Sequence, residues 1–205
     1  DAEMLIEGHV LPNVKEVEGP FGEFTGYYGP QRMRNVIEVS AITHRSDAIF
    51  QHIFTGHRDT WVLGGIPKEG SLFNLIRGVV PTVKAVHFPM SGACRFNCYI
   101  SIDKKVDGET KQAALAALGG CDFVKHVIVV DADIDIYNEE EVLWATATRV
   151  QADQDVDVIK NVKGNTLDPS QTDNIMTAKM IIDATKPLQR PYEARVAVPK
   201  AAMEK

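Results

Sequence analysis

Two carboxylates stand five positions apart in the segment EVEGPFGEFTGYYGP, residues 16–30, where Glu18 and Glu23 flank Gly-Pro-Phe-Gly. Gly19 and Gly22 open backbone angles closed to other residues and Pro20 fixes its own φ, so the path between the acids is defined rather than loose. Two carboxylates held in one neighbourhood do not both ionise easily, and one pKa is expected to rise. A carboxylic acid that stays protonated near neutral pH can hand a proton to a reacting atom, while its neighbour orients or relays. The residues alone leave a second reading open, a surface turn with two solvated acids. Phe21 is expected to anchor the turn in the core.

Other chemistry-bearing residues argue for less. Asp131, Asp133 and Asp135 in DADID open like a calcium loop, but Ile136 stands where the loop needs Gly and Val142 where it needs the bidentate Glu. They read better as the C-terminal end of a central strand, an edge where α/β sheets often bind ligands. His44, His52, His57, His87 and His126 are scattered, with no HExxH pair. His57, Arg58 and Asp59 in TGHRDTW are expected in a loop, as solvated charges or as an anion contact. The glycines of VLGGIPKEGS match neither the P-loop nor the dinucleotide fingerprint. Cys94, Cys98 and Cys121 are an odd number without framework spacing, which points to a reducing, cytoplasmic setting. No second pair completes a four-ligand site with Cys94 and Cys98, and Cys98 lies in a strand-like run.

The elements that must position these residues fall into two halves. EMLIEGHV, NVIEVSAITHR and AIFQHIFTG are alternating or β-branched runs broken by turn residues, which predicts strands over residues 3–65. They are too few to close a barrel, so this half looks incomplete by itself. Beyond it, PKEGSLFNLIRGVV predicts a helix opening at Pro67. TVKAVHFP and RFNCYISID predict strands, and ETKQAALAALGG a helix stopped by Gly-Gly. HVIVVDADID reads as a buried strand. Asn138 and Glu141 form a candidate capping box for a helix over EEEVLWATATRV. VDVIKNV reads as a strand, and TAKMIIDAT as helical or extended. Strands alternating with helices indicate an α/β layer domain. Residues 187–205, with Pro187, Pro191 and Pro199, read as an extended arm, either laid on a neighbouring subunit or frayed. The expected division is 1–65, 66–186 and 187–205.

Composition sets outer bounds. With 205 residues, 44% hydrophobic and 24% charged, the chain has the make-up of a soluble globular protein. A net charge of −6 disfavours a general nucleic-acid binder, which needs a basic face. No apolar run reaches the ~18 residues of a membrane span.

Taken in order, EGHV, EGPFGEFTGYY, ITHRSDAIFQHIFTG, VLGG, VIVVDADIDIYNEEEVLWATATR and AKMIIDAT resemble the UbiD-type decarboxylases, over residues 3–186. That family includes 3-polyprenyl-4-hydroxybenzoate, ferulate and gallate decarboxylases. The resemblance implies a reversible carboxy-lyase acting on small aromatic or α,β-unsaturated carboxylic acids, with prenylated FMN and with Mn²⁺ and K⁺ at its phosphate. The family motif E-G-P-[FY]-G-[ED] matches Glu18 and Glu23. Glu23 would be the proton donor and Glu18 would hold a catalytic arginine. Leu63 in VLGG and Leu167 in GNTLDP fall where family members line the substrate pocket. Family chains are about twice as long, so this chain would be the C-terminal portion. The implied fold is α/β (α+β overall): closing strands of a split β-barrel, then an α/β layer domain with a mainly parallel sheet that drives assembly into a dimer or hexamer. Cofactor-binding residues, metal ligands and the arginine would lie in an N-terminal flavin-binding portion of the same or another chain. Alone, the chain is expected to be inactive. The alternatives are one subunit of a multi-chain aromatic carboxylase, or a non-catalytic assembly module.

Overall fold

The structure is a computed structural model in which residues 2–171, 175–196, 198 and 202 are described. Two long strands open the chain. β1 (Met4–Glu18) and β4 (Arg32–His44) pair antiparallel, from Met4 opposite His44 to Glu18 opposite Arg32. The register breaks between Glu7 and Gly8 and between Val10 and Lys15. Between them β2 (Phe21–Gly22) and β3 (Tyr28–Gly29) make a small hairpin. Among the described residues this part is an open ribbon with no closed barrel. It leaves Ile6, Val10, Val17, Ile37 and Ile42 exposed.

AIFQHIFTG, expected as a strand, has no regular structure before the helix that follows, and Ile49, Phe50 and Phe54 stay exposed. A strand needs a partner for its backbone N–H and C=O groups, and none is offered among the described residues. The helix itself, α1 (Arg58–Val79), starts well before the expected Pro67 and takes in Arg58, Asp59 and both glycines of VLGG. Pro67 therefore lies inside it. An interior proline typically costs ~3 kcal/mol through a lost hydrogen bond and a steric clash. Packing of the buried Leu72 and Ile76 on the sheet domain opposes that cost.

The second part is a three-layer α/β/α sandwich. Its sheet comprises β5 (Val83–His87), β6 (Asn97–Ile102), β7 (His126–Asp131), β8 (Val156–Lys163) and β9 (Met176–Ala184), in the order β5-β6-β7-β9-β8. The β6–β7 and β7–β9 pairs are parallel, whereas β5–β6 and β9–β8 are antiparallel. The sheet is thus mixed, not mainly parallel. Each edge strand joins its neighbour by a connection that needs no helical crossover, which permits antiparallel pairing. TAKMIIDAT settles as β9 because it fills the gap between β7 and β8.

The side chains of β7 alternate between two cores. Val127 and Val129 face α1 and α2 (Glu109–Gly120), whereas Ile128 and Val130 join Val142 and Ala145 of α3 (Glu139–Arg149). Covering on both faces explains the unbroken apolar run. The Asn138 side chain caps α3 by accepting from Glu140 N–H at 3.1 Å. The reciprocal half of the capping box is absent, because Glu141 accepts from Asp135 N–H and pairs with Arg195 instead. The described part of the arm lies on α3 of its own chain. Tyr192 Oη donates to Thr148 O at 2.8 Å, and the Arg195 guanidinium sits 4.6 Å from the Trp144 ring centre. Pro199 lies outside the described residues.

Candidate functional site

Glu18 closes β1, and its carboxylate lies 3.4 Å from Arg34 Nε across the ribbon. Both side chains are more than half exposed, so the pair is worth at most ~1 kcal/mol. It orients the acid more than it stabilises the fold. Glu23 follows β2 on a turn of its own. Its N–H donates to Tyr27 O at 2.9 Å, and its carbonyl accepts from Gly26 N–H at 3.0 Å. Gly29 passes the acid so closely that a Cβ there would lie 3.2 Å from Glu23 Oε1. The two acids therefore stand at opposite ends of the Gly-Pro-Phe-Gly turn, each with its own surroundings.

The turn is anchored by Phe24, not by Phe21. Phe21 is 67% exposed on β2, whereas Phe24 is 7% exposed. The Phe24 ring packs 5.4 Å from Phe96 and 5.5 Å from Phe123, centre to centre. Its carbonyl accepts from Trp61 Nε1–H of α1 at 2.6 Å. Two aromatic partners lie on the side of the turn facing the sandwich and none on the side facing solvent, which selects Phe24.

Glu23 opens onto a cavity of about 310 Å³. Thr25, Tyr28 and Arg32 line it from the ribbon side, and Thr166, Leu167 and Gln171 from the β8–β9 connection. Arg32 Nη2 bridges the two walls by donating to Thr166 O at 3.1 Å. The second wall is held from behind. Asp168 is 5% exposed, pairs with Lys125 at 2.8 Å and accepts from Ser170 N–H. Burial alone would raise the Asp168 carboxyl, but these contacts outweigh it and hold the group below its ordinary value. Glu23 and Leu167 thus share one cavity. Leu63 does not line it. It is 57% exposed on α1.

Several of the remaining candidates have structural partners. Asp131 and Asp133 accept from Arg149, and Asp133 also from Lys186. His87 Nδ1 lies 2.8 Å from Glu69, which also accepts from Phe88 N–H. These two line a separate cavity of about 400 Å³ with Tyr99, Tyr137 and Glu139. Cys94 and Cys98 are buried and unpaired. Among the described residues no three His, Cys, Asp or Glu side chains converge as a metal site would require. These residues by themselves therefore do not fit Mn²⁺. Sequence reasoning missed Arg32, Trp61 and Phe24. The aromatic density of FGEFTGYY hinted at Phe24, but no local spacing signals the other two.

The acid-bearing ribbon and the mixed-sheet α/β/α sandwich each match a domain of one class of carboxy-lyases. The 3-octaprenyl-4-hydroxybenzoate carboxy-lyase C-terminal domain profile matches residues 61–184, and the Rift-related domain profile of the same family matches residues 1–58. The chain belongs to this UbiD family. It is 39% identical, over 92% of its length and 45% of the relative's, to an anhydromevalonate phosphate decarboxylase of Methanocaldococcus jannaschii. The UbiD-class enzyme HmfF of Pelotomaculum thermopropionicum, solved with FMN, superposes with a TM-score of 0.92 at 47% identity, covering 99% of this chain and 46% of that one. An evolved dimeric form of HmfF, solved with prenylated FMN, gives a TM-score of 0.83 at 44% identity over 98% and 43% of the two chains. The chain thus spans a little under half the length of the relatives it matches.

Proposed function

We propose that this chain forms the acid-bearing part of a prenylated-FMN-dependent decarboxylase of aromatic or α,β-unsaturated acids, with Glu23 as the proton donor. The observation that carries the reading is the shared cavity of Glu23 and Leu167, on a hairpin fixed by Phe24. Loss of CO₂ leaves an electron pair on carbon that an aromatic or alkenyl substrate cannot hold. The flavin, when bound, supplies the electron sink. What remains for the protein is to orient the acid, exclude water and deliver a proton to that carbon. Glu23 does the last. Glu18, oriented by Arg34, is ready to hold the arginine of the family's network. Run in reverse, the same acid takes the proton back as CO₂ adds.

Donors for Mn²⁺, K⁺ and the flavin phosphate come, in this reading, from a flavin-binding portion of the same or another chain, which docks on the exposed ribbon. The assembly is a dimer or hexamer. The polypeptide of residues 1–205 alone, given prenylated FMN, releases no CO₂, and measured CO₂ release would refute this. In the complete enzyme Glu23→Gln should abolish turnover while leaving the circular dichroism spectrum intact. Near-normal turnover would end the proton-donor assignment. Glu18→Gln should lower activity by disturbing the arginine.

A further inference from the structure

Arg95 is a buried cation that meets no carboxylate among the described residues. It is 8% exposed. Its Nη1 donates to Cys94 O at 3.0 Å and to Trp61 O at 3.3 Å. Its guanidinium carbon lies 5.3 Å from the Phe24 ring centre and 6.0 Å from that of Phe123. Burying a charge without a counter-charge is costly, and two carbonyls and two ring faces offset that cost only in this arrangement. Space has been cleared for it, since a Cβ on Gly64 would stand 1.6 Å from Arg95 Nη2. The contacts of Arg95 converge on Phe24, the neighbour of Glu23, and on Trp61, whose indole N–H holds the Phe24 carbonyl at 2.6 Å. No other side chain of the hairpin is buried.

We infer that Arg95 is a positioning residue for the proton donor. It lies over the Phe24 ring, holds the Trp61 carbonyl and so fixes where the Glu23 carboxyl points. This rests on the reading of Glu23 given above. A planar guanidinium is required, because an ammonium neither stacks on Phe24 nor keeps the forked geometry.

The test uses the complete enzyme with prenylated FMN and two variants that disturb the clamp differently. Arg95→Lys removes the plane. Gly64→Ala leaves Arg95 in place as a residue but displaces its guanidinium, and it raises the helix propensity of α1. Both should lower kcat at least about tenfold, with KM changed by less than about twofold, the signature of a group acting in the transition state. Both should enlarge the solvent deuterium isotope effect on kcat, because protonation becomes slower. In the protein without flavin, amide exchange at Glu23 and Gly26 should accelerate at least about tenfold, with exchange in α2 unchanged.

Unchanged hairpin exchange in either folded variant would overturn the inference. So would acceleration spread evenly through the sandwich, which would make Arg95 an ordinary core residue. If Arg95→Lys does not fold, Gly64→Ala decides. The exchange measurement separates this inference from the Glu23 reading. A Glu23→Gln enzyme with normal turnover would refute the donor, whereas local exchange reports the clamp whatever Glu23 does.

Discussion

At the scale of single residues, burial decides which groups react. Cys98 is fully buried and Cys94 nearly so, and desolvation pushes both thiols up, so neither supplies the reactive thiolate. Cys121 is only half-buried. Of the three thiols, one should react readily with a chromogenic disulfide in the native protein, and all three after denaturation. Asp168 gives a pH prediction. Its carboxyl is held below the ordinary value, so it stabilises the fold above its unfolded pKa of ~3.9. That contribution is lost as pH falls through the lower folded value. Lys125→Met leaves a nearly buried carboxylate without its cation and should cost about 3 kcal/mol at neutral pH. Denaturant titrations between pH 5 and 2 should then give a shallower loss of stability than in the parent.

Among the elements, α3 is started by one side chain. Asn138→Ala should cost about 1 kcal/mol in denaturant unfolding, and Glu141→Gln less, because its partner Arg195 is nearly half exposed. The contrast between expected and observed elements follows from what each signal depends on. The run VIVVD reads as a buried strand from its own residues, and β7 is that strand. The order of β9 and β8 depends on partners far away in the chain, so TAKMIIDAT stays ambiguous until its neighbours are known. Pro67 is a local start signal, yet α1 begins nine positions earlier and carries Pro67 in its interior, where the packing of Leu72 and Ile76 opposes its cost. In the site, the motif around Glu18 and Glu23 is legible because it is contiguous. Arg95 and Trp61 are not, since they meet Phe24 across 71 and 37 positions of sequence.

For the whole molecule, the exposed ribbon is the dominant surface feature. Ile6, Val10, Ile37 and Ile42 present an apolar face that isolated proteins rarely leave uncovered. The isolated polypeptide should bind a hydrophobic dye and self-associate. Ile37→Lys with Ile42→Lys should cut dye fluorescence by about half without changing the far-ultraviolet spectrum. The position of β9 between β7 and β8 has a consequence for how the protein is made. At about 5–20 residues per second, Met176 is synthesised roughly two to nine seconds after Asp131. For that interval β7, four consecutive apolar residues, has the edge that β9 will take still open, and β8, once made, has no strand to pair with. The strand order thus makes that open edge the place where a newly made chain is most exposed to pairing with another chain.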